Sequence, residues 1–140
     1  MIKFTKERSI SIDDVLHLYQ AVGWTNYTNQ PQMLEQALSH SLATYLARDG
    51  EEIVGLVRLV GDGFSSVFVQ DLIVLPSYQR QGIGSNLMKE ALADYKDAYQ
   101  IQLATEQTEK NLGFYRSLGF ETLSTYDCTG MIWVDRKKFK

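Results

Sequence analysis

The chain has 140 residues, a length that suits one domain around one core, and its hydrophobic share of 44% is ordinary for a water-soluble globular protein. The net charge of −3 and the absence of any basic run longer than Arg136-Lys137-Lys138 argue against nucleic acid as a partner. Cys128 is the single cysteine, so no internal disulfide and no cysteine-rich zinc site can form, which suits a reducing cytoplasm. No apolar run approaches the roughly 20 residues of a membrane helix, and Met1–Arg8 is followed by no apolar stretch of a secretory signal.

In chain order, Ile2-Lys3-Phe4 alternates as a short edge strand. Ser11 caps a helix with an acid at its third position, Asp14, and apolar residues Ile12, Val15, Leu16 and Tyr19 at helical spacing up to Gly23. An aromatic loop, Trp24 to Gln30, precedes a second helix that starts at Pro31 and carries Leu34, Ala37 and Leu38 on one face. Three strands follow at Ala43–Arg48, Ile53–Val60 and Ser66–Leu75, separated by Asp49-Gly50 and Gly61-Asp62-Gly63 turns. Gly82 to Tyr95 is an amphipathic helix with Ile83, Leu87, Met88, Ala91 and Leu92 on its stripe. Ile101–Ala104 is a fifth strand, Thr108 caps a helix that ends at Gly119, and Phe120–Leu123 and Met131–Val134 supply two last strands, with Trp133 in the core. The order βααβββαβαββ predicts an α/β (α+β) domain over 1–140: a mixed, mostly antiparallel sheet of about seven strands with four helices on both faces.

The segment Gln79-Arg80-Gln81-Gly82-Ile83-Gly84-Ser85 lies between a strand and a helix. Backbone N–H groups at a helix N-terminus have no intrahelical partner and carry partial positive charge, so such a turn binds phosphate. Glycine at 82 and 84 lets an anion approach the backbone, and Arg80 adds a cation. A P-loop would need Lys and Ser/Thr after its last glycine, where Ser85 and Asn86 stand, and a dinucleotide fingerprint would need glycine where Leu87 stands.

The remaining pattern, Gln-x-x-Gly-x-Gly, resembles the pyrophosphate motif of the GCN5-related N-acetyltransferases. Phe114-Tyr115-Arg116-Ser117-Leu118-Gly119-Phe120 resembles the same family's Phe-Tyr-x-x-x-Gly-Phe ending. The element order is that of the family's fold, so the likeness spans nearly the whole chain. Within the family, Asp71 to Gln79 and Gly130-Met131-Ile132-Trp133 are similar to the serotonin (aralkylamine) N-acetyltransferase-like branch.

The resemblance implies acetyl transfer from acetyl-CoA, a co-substrate, directly to a primary amine, with no metal. It implies that the pyrophosphate lies on Gln79 to Ser85 and that the pantetheine pairs like an extra strand with Leu72, Ile73 and Val74. A backbone N–H near Val74 would polarise the thioester carbonyl. Tyr115 falls where the family keeps its general acid. The family's base positions fall on Phe68, Gln70 and Leu103, none of which is a base. Gln70 through a water, Asp71 if a bulge turns it, and Glu106 are the remaining candidates. Thr108 stands where relatives place an asparagine that contacts pantetheine, and Asn111, four residues before Tyr115, is its possible substitute. Trp24 and Tyr27 are candidates for stacking on the acceptor amine. His17, His40 and Cys128 are read as structural or solvated. A small-molecule amine is the expected acceptor; a protein N-terminus or lysine, or a non-catalytic acyl-CoA sensor, are the alternatives, in a monomer or homodimer.

Overall fold

The computed structural model describes residues 1–135 and 137, which fall into two compact units, Met1–Leu103 and Ala104–Lys140. The first unit holds a five-stranded sheet in the order β1 (Ile2–Glu7), β2 (Ala43–Asp49), β3 (Glu52–Gly61), β4 (Ser66–Val74), β5 (Gln100–Leu103). Neighbours are antiparallel except β4 and β5, which are parallel.

Four helices belong to this unit: α1 (Ile12–Ala21), α2 (Thr25–Thr28), α3 (Pro31–Ser39) and α4 (Ile83–Tyr95). Ser11 caps α1 by accepting from the Asp13 N–H at 3.3 Å, and Pro31 occupies the first turn of α3, where no N–H is missed. The segment read as an aromatic loop contains α2. Its turn is set by Tyr27 and Thr28 N–H groups bonding the Trp24 carbonyl at 3.0 and 3.1 Å.

Helices cover both faces of the sheet, and adjacent residues of β3 show it. Leu56 packs in a cluster with Val15, Leu18, Leu34 and Leu38 of α1 and α3. A Cβ on Gly55 would stand 3.1 Å from Leu87 and 3.2 Å from Ile83 of α4. Gly55 therefore lets α4 lie close against the opposite face, as strand alternation requires.

Two bulges break that alternation. Val54 has no partner on β2, because Ala47 pairs with Gly55 and Arg48 with Ile53. Gln70 has none on β3, because Asp71 pairs with Arg58 and Val69 with Leu59. A bulge leaves one residue unpaired and bends its strand.

The β3–β4 turn is held by Asp62. Its carboxylate accepts from the N–H groups of Phe64, Ser65 and Ser66 at 2.7, 2.8 and 3.1 Å and from the Ser65 hydroxyl at 2.5 Å. These bonds, led by the Ser65 hydroxyl, hold its pKa well below the usual carboxylate range. Gly61 precedes it at φ +128°, and a Cβ there would meet the Ser66 carbonyl oxygen at 2.3 Å. Gly61→Ala is expected to cost about 1–3 kcal/mol, as other backbones forced into a glycine-only region do. Urea denaturation checks this; an unchanged midpoint would show that the turn relaxes freely.

The second unit contains α5 (Glu109–Ser117) and a 3₁₀ turn at Leu123–Tyr126. The two last predicted strands are absent among the described residues, so the sheet has five strands and not about seven. Local turns compete for the backbone there: Thr125, Asp127 and Cys128 N–H groups bond Thr122, Ser124 and Leu123 carbonyls, and Asp127 sits at φ 57°. Met131–Val134 stays irregular, and Trp133, expected in the core, is 78% exposed. Arg136 and Lys138, part of the basic run noted above, lie outside the described residues.

Candidate active site

The parallel pairing of β4 with β5 covers only Ser66–Val69. From Gln70 to Val74 that edge of β4 has no strand beside it among the described residues. The Leu75 N–H bonds the Val54 carbonyl of β3 at 2.9 Å. Backbone groups alternate along a strand, so Ile73 is in phase with Leu75 and faces β3, whereas Leu72 and Val74 direct theirs to the open edge. The three strand residues expected together thus divide. Ile73 is a core residue, 1% exposed, and the outward amides are those of Leu72 and Val74.

The open edge leads directly into the glycine turn. Pro76–Tyr78 forms a 3₁₀ turn, tied to the β2–β3 hairpin by the Tyr78 hydroxyl donating to Asp49 at 2.6 Å. The Gln79 amide Nε2 donates to the Val74 carbonyl at 3.1 Å and joins the turn to the strand. Arg80 and Gly82 are left-handed, at φ 66° and 78°. Gly82 is the N-cap of α4 and supplies no side-chain cap; the first intrahelical bond is Asn86 N–H to the Gly82 carbonyl at 3.0 Å. The N–H groups of Ile83, Gly84 and Ser85 precede it and are left without intrahelical acceptors. Ile83 buries its side chain, Gln81 is exposed, and a Cβ on Gly82 would meet nothing within 4 Å.

Behind the open edge lies a buried polar cluster. The Arg58 Nε donates to Asp71 Oδ2 at 2.7 Å, with the two residues 4% and 2% exposed. Tyr19 of α1 donates to the same oxygen at 2.8 Å, and Tyr27 of α2 donates to Oδ1 at 2.9 Å. Arg58 also donates from Nη1 to Ser41 Oγ and from Nη2 to the Tyr27 hydroxyl, both at 3.2 Å. Gln70 Nε2 donates to the Tyr27 hydroxyl at 3.4 Å. Burial and the Asp71 charge raise the pKa of both tyrosines, so they remain proton donors. Burial alone would lower the pKa of Arg58, but the adjacent Asp71 outweighs it and raises it.

The bulge at Gln70 therefore does turn Asp71: both side chains reach Tyr27, although ideal alternation puts them on opposite faces. Asp71 is already engaged by three donors. Tyr27 is 8% exposed and its hydroxyl belongs to this cluster, while the half-buried Trp24 packs against Tyr19 and Tyr27 at 6.1 and 6.2 Å between ring centroids. Arg58 and Tyr19 are the site's residues that sequence reasoning missed. A lone arginine inside an apolar strand, mirrored by a lone aspartate in the next, was the available signal.

In the second unit, Thr108 caps α5 by accepting the Asn111 N–H at 3.1 Å. Asn111 Nδ2 donates to Thr105 Oγ1 at 3.1 Å, and Glu106 is exposed. Tyr115 packs edge-on against Phe114 and Phe120, at 5.0 and 6.0 Å, and burial raises its pKa. His17 Nε2 donates to the Ile53 carbonyl at 2.7 Å, His40 is exposed, and Cys128 is free and exposed. Among the described residues no three His, Cys, Asp or Glu side chains gather as metal ligands, and no helix is long and apolar enough to cross a membrane.

Residues 40–122 match the family model for the acetyltransferase (GNAT) domain. The chain belongs to the GNAT family. It is 74% identical to a GNAT-family acetyltransferase from Streptococcus pneumoniae TIGR4, with a TM-score of 0.90 over 97% of this chain and 99% of that one. It is also similar to the chloroplastic GCN5-related N-acetyltransferase 1 of Arabidopsis thaliana, 28% identical over 94% of this chain and 66% of that protein. The chloroplastic serotonin N-acetyltransferase 2 of Oryza sativa subsp. japonica is 33% identical over 65% of this chain and 48% of its own length. The chain thus spans between about half and two thirds of these plant relatives. The GNAT fold is seen in the mixed sheet, in the parallel β4–β5 pair, and in the glycine turn at the head of α4.

Proposed function

We propose that this GNAT domain transfers acetyl from acetyl-CoA to a small-molecule primary amine. The observation that carries the reading is the edge of β4 left without a strand partner beyond Val69, followed along the chain by the uncapped turn of α4. An extended chain bearing amides fits the first, and a diphosphate fits the second. Leu72 and Val74 take the pantetheine amides, and a Val74-side N–H faces the thioester oxygen as charge develops on it. The backbone of residues 81 to 85 holds the diphosphate, with Arg80 beside it.

In the transfer, the amine nitrogen forms a bond to the acetyl carbon and loses a proton, the C–S bond breaks, and the thiolate takes a proton. Tyr115 is assigned as that donor on the strength of the family's Phe-Tyr-x-x-x-Gly-Phe motif, and burial, which raises its pKa, keeps it protonated. No carboxylate of the first unit is free to serve as base beside Gln70, since Asp71 is held by Arg58, Tyr19 and Tyr27. This favours an acceptor that arrives neutral, such as a weakly basic arylamine, with a water on Gln70 relaying its proton.

The test is release of free CoA thiol from acetyl-CoA over a panel of aryl, aralkyl and aliphatic amines and lysine peptides. Release with an arylamine or aralkylamine supports the reading. Release only with peptides moves the acceptor to protein, and tight CoA binding without release on any amine replaces the enzyme by a sensor. Tyr115→Phe is expected to lower kcat at least about tenfold with CoA affinity unchanged; unchanged turnover removes the proton-donor role.

A further inference from the structure

The buried Arg58–Asp71 pair lies at the point where β4 changes register. Asp71 is the first residue beyond the bulge, and it is also the first to pair with β3 after β5 has ended its pairing at Val69. A strand's side chains alternate with a period of two, so a one-residue slip moves every following side chain to the other face. Without the bulge, Gln70 would stand opposite Arg58, Asp71 opposite Val57 and Ile73 opposite Gly55. Ile73 would then leave the α1–α3 cluster, and the backbone groups of Leu72 and Val74 would exchange directions with those of Ile73.

Nothing apolar opposes that slip strongly, because Leu72, Ile73 and Val74 are interchangeable in polarity. The charged pair does oppose it. In the slipped register Asp71 would leave Arg58, Tyr19 and Tyr27, and a carboxylate would be buried without them. Fixing register is the best-attested use of a buried ion pair.

We infer that Arg58 and Asp71, with Tyr19 and Tyr27, are positioning residues that lock β4 in its bulged register and so aim the Leu72 and Val74 amides at the open edge. The register itself stands on the strand pairing alone; its consequence for acetyl-CoA rests on the function proposed above.

The Val57–Leu72 pair reports the register. The two residues are directly opposite, and because Leu72 faces outward the pair is not hydrogen-bonded, which brings the Cα atoms to about 4.5 Å, within disulfide reach. In the slipped register positions 57 and 72 are diagonal and on opposite faces. Val57→Cys with Leu72→Cys is made in a Cys128→Ser background, with and without Tyr19→Phe, Tyr27→Phe, Arg58→Met and Asp71→Leu together. The joint replacement removes charges and hydroxyls alike, so none is left buried and unpaired.

Under mild oxidation the pair is expected to crosslink fully with the polar cluster present and about fivefold less without it, and calorimetric CoA affinity, measured without the cysteines, is expected to fall in parallel. Equal crosslinking overturns the lock. Reduced crosslinking with unchanged CoA affinity overturns the positioning of the amides. If the parent chain binds no CoA, the proposed function fails while crosslinking still decides the register. Should the joint variant lack a cooperative melt, Asp71→Asn, which keeps the side chain's size, is put through the same crosslinking comparison.

Discussion

Arg58→Ala is expected to destabilise the protein by about 3–5 kcal/mol, the cost of leaving a buried carboxylate without its cation. Asp71 would keep two phenol donors, but its charge would lie in an apolar layer between β4 and α1, 2% exposed and without a counter-ion. A typical domain has only about 5–15 kcal/mol in total, so the variant would be near the edge of folding. The other arginine pair of the sheet is the control. Arg48 donates bidentately to Glu7 at 2.9 and 3.1 Å, a geometry as good as that of Arg58, yet both partners are about 30% exposed. Arg48→Ala is expected to cost about 1 kcal/mol or less, because water replaces what is lost. Urea midpoints of the two variants decide the matter. If they shift equally, burial is not what makes the Arg58 pair expensive to break.

The same comparison shows what the sequence could convey. Turns were legible wherever the chemistry is local: Gly61-Asp62-Gly63 needs only Asp62 to collect three successive N–H groups, and Pro31 needs only to start a helix. The α4 stripe and its glycine turn were legible for the same reason. The bulge at Gln70 was not, since it is set by an ion pair to a residue 13 positions earlier and by two tyrosines on separate helices. Periodicity assumes uniform register, so it could bring Asp71 to the face of Gln70 only on the condition of a bulge. Helix α2 was missed because a four-residue helix has no periodic signal. Met131–Val134 was read as a strand because composition records β-propensity, which does not by itself supply a paired neighbour. The GNAT resemblance fared better than these local readings because it rested on two ordered motifs that each carry a backbone requirement.

Gly82→Asp separates binding from folding more sharply than any other single change in the turn. The fold has room for it: a Cβ at 82 meets nothing within 4 Å, and Asp is among the side chains that tolerate the left-handed backbone found there. The strain of φ 78° sets the expected stability loss at about 1 kcal/mol. Ligand binding is expected to suffer more than folding. A carboxylate at the head of α4 would stand beside the N–H groups of Ile83, Gly84 and Ser85, where the proposed diphosphate lies. Two like charges about 4 Å apart repel by about 4 kcal/mol at an effective dielectric constant of about 20. Even half of that, about 2 kcal/mol, weakens CoA roughly thirtyfold. Because this is charge repulsion in a site open to solvent, part of the lost affinity should return at high salt. Gly82→Asn has nearly the same size and no charge, and is expected to lose far less. Calorimetry with CoA on the three proteins, alongside their melting curves, checks this. Equal affinities for the Asp and Asn variants would show that the diphosphate is not held at this turn.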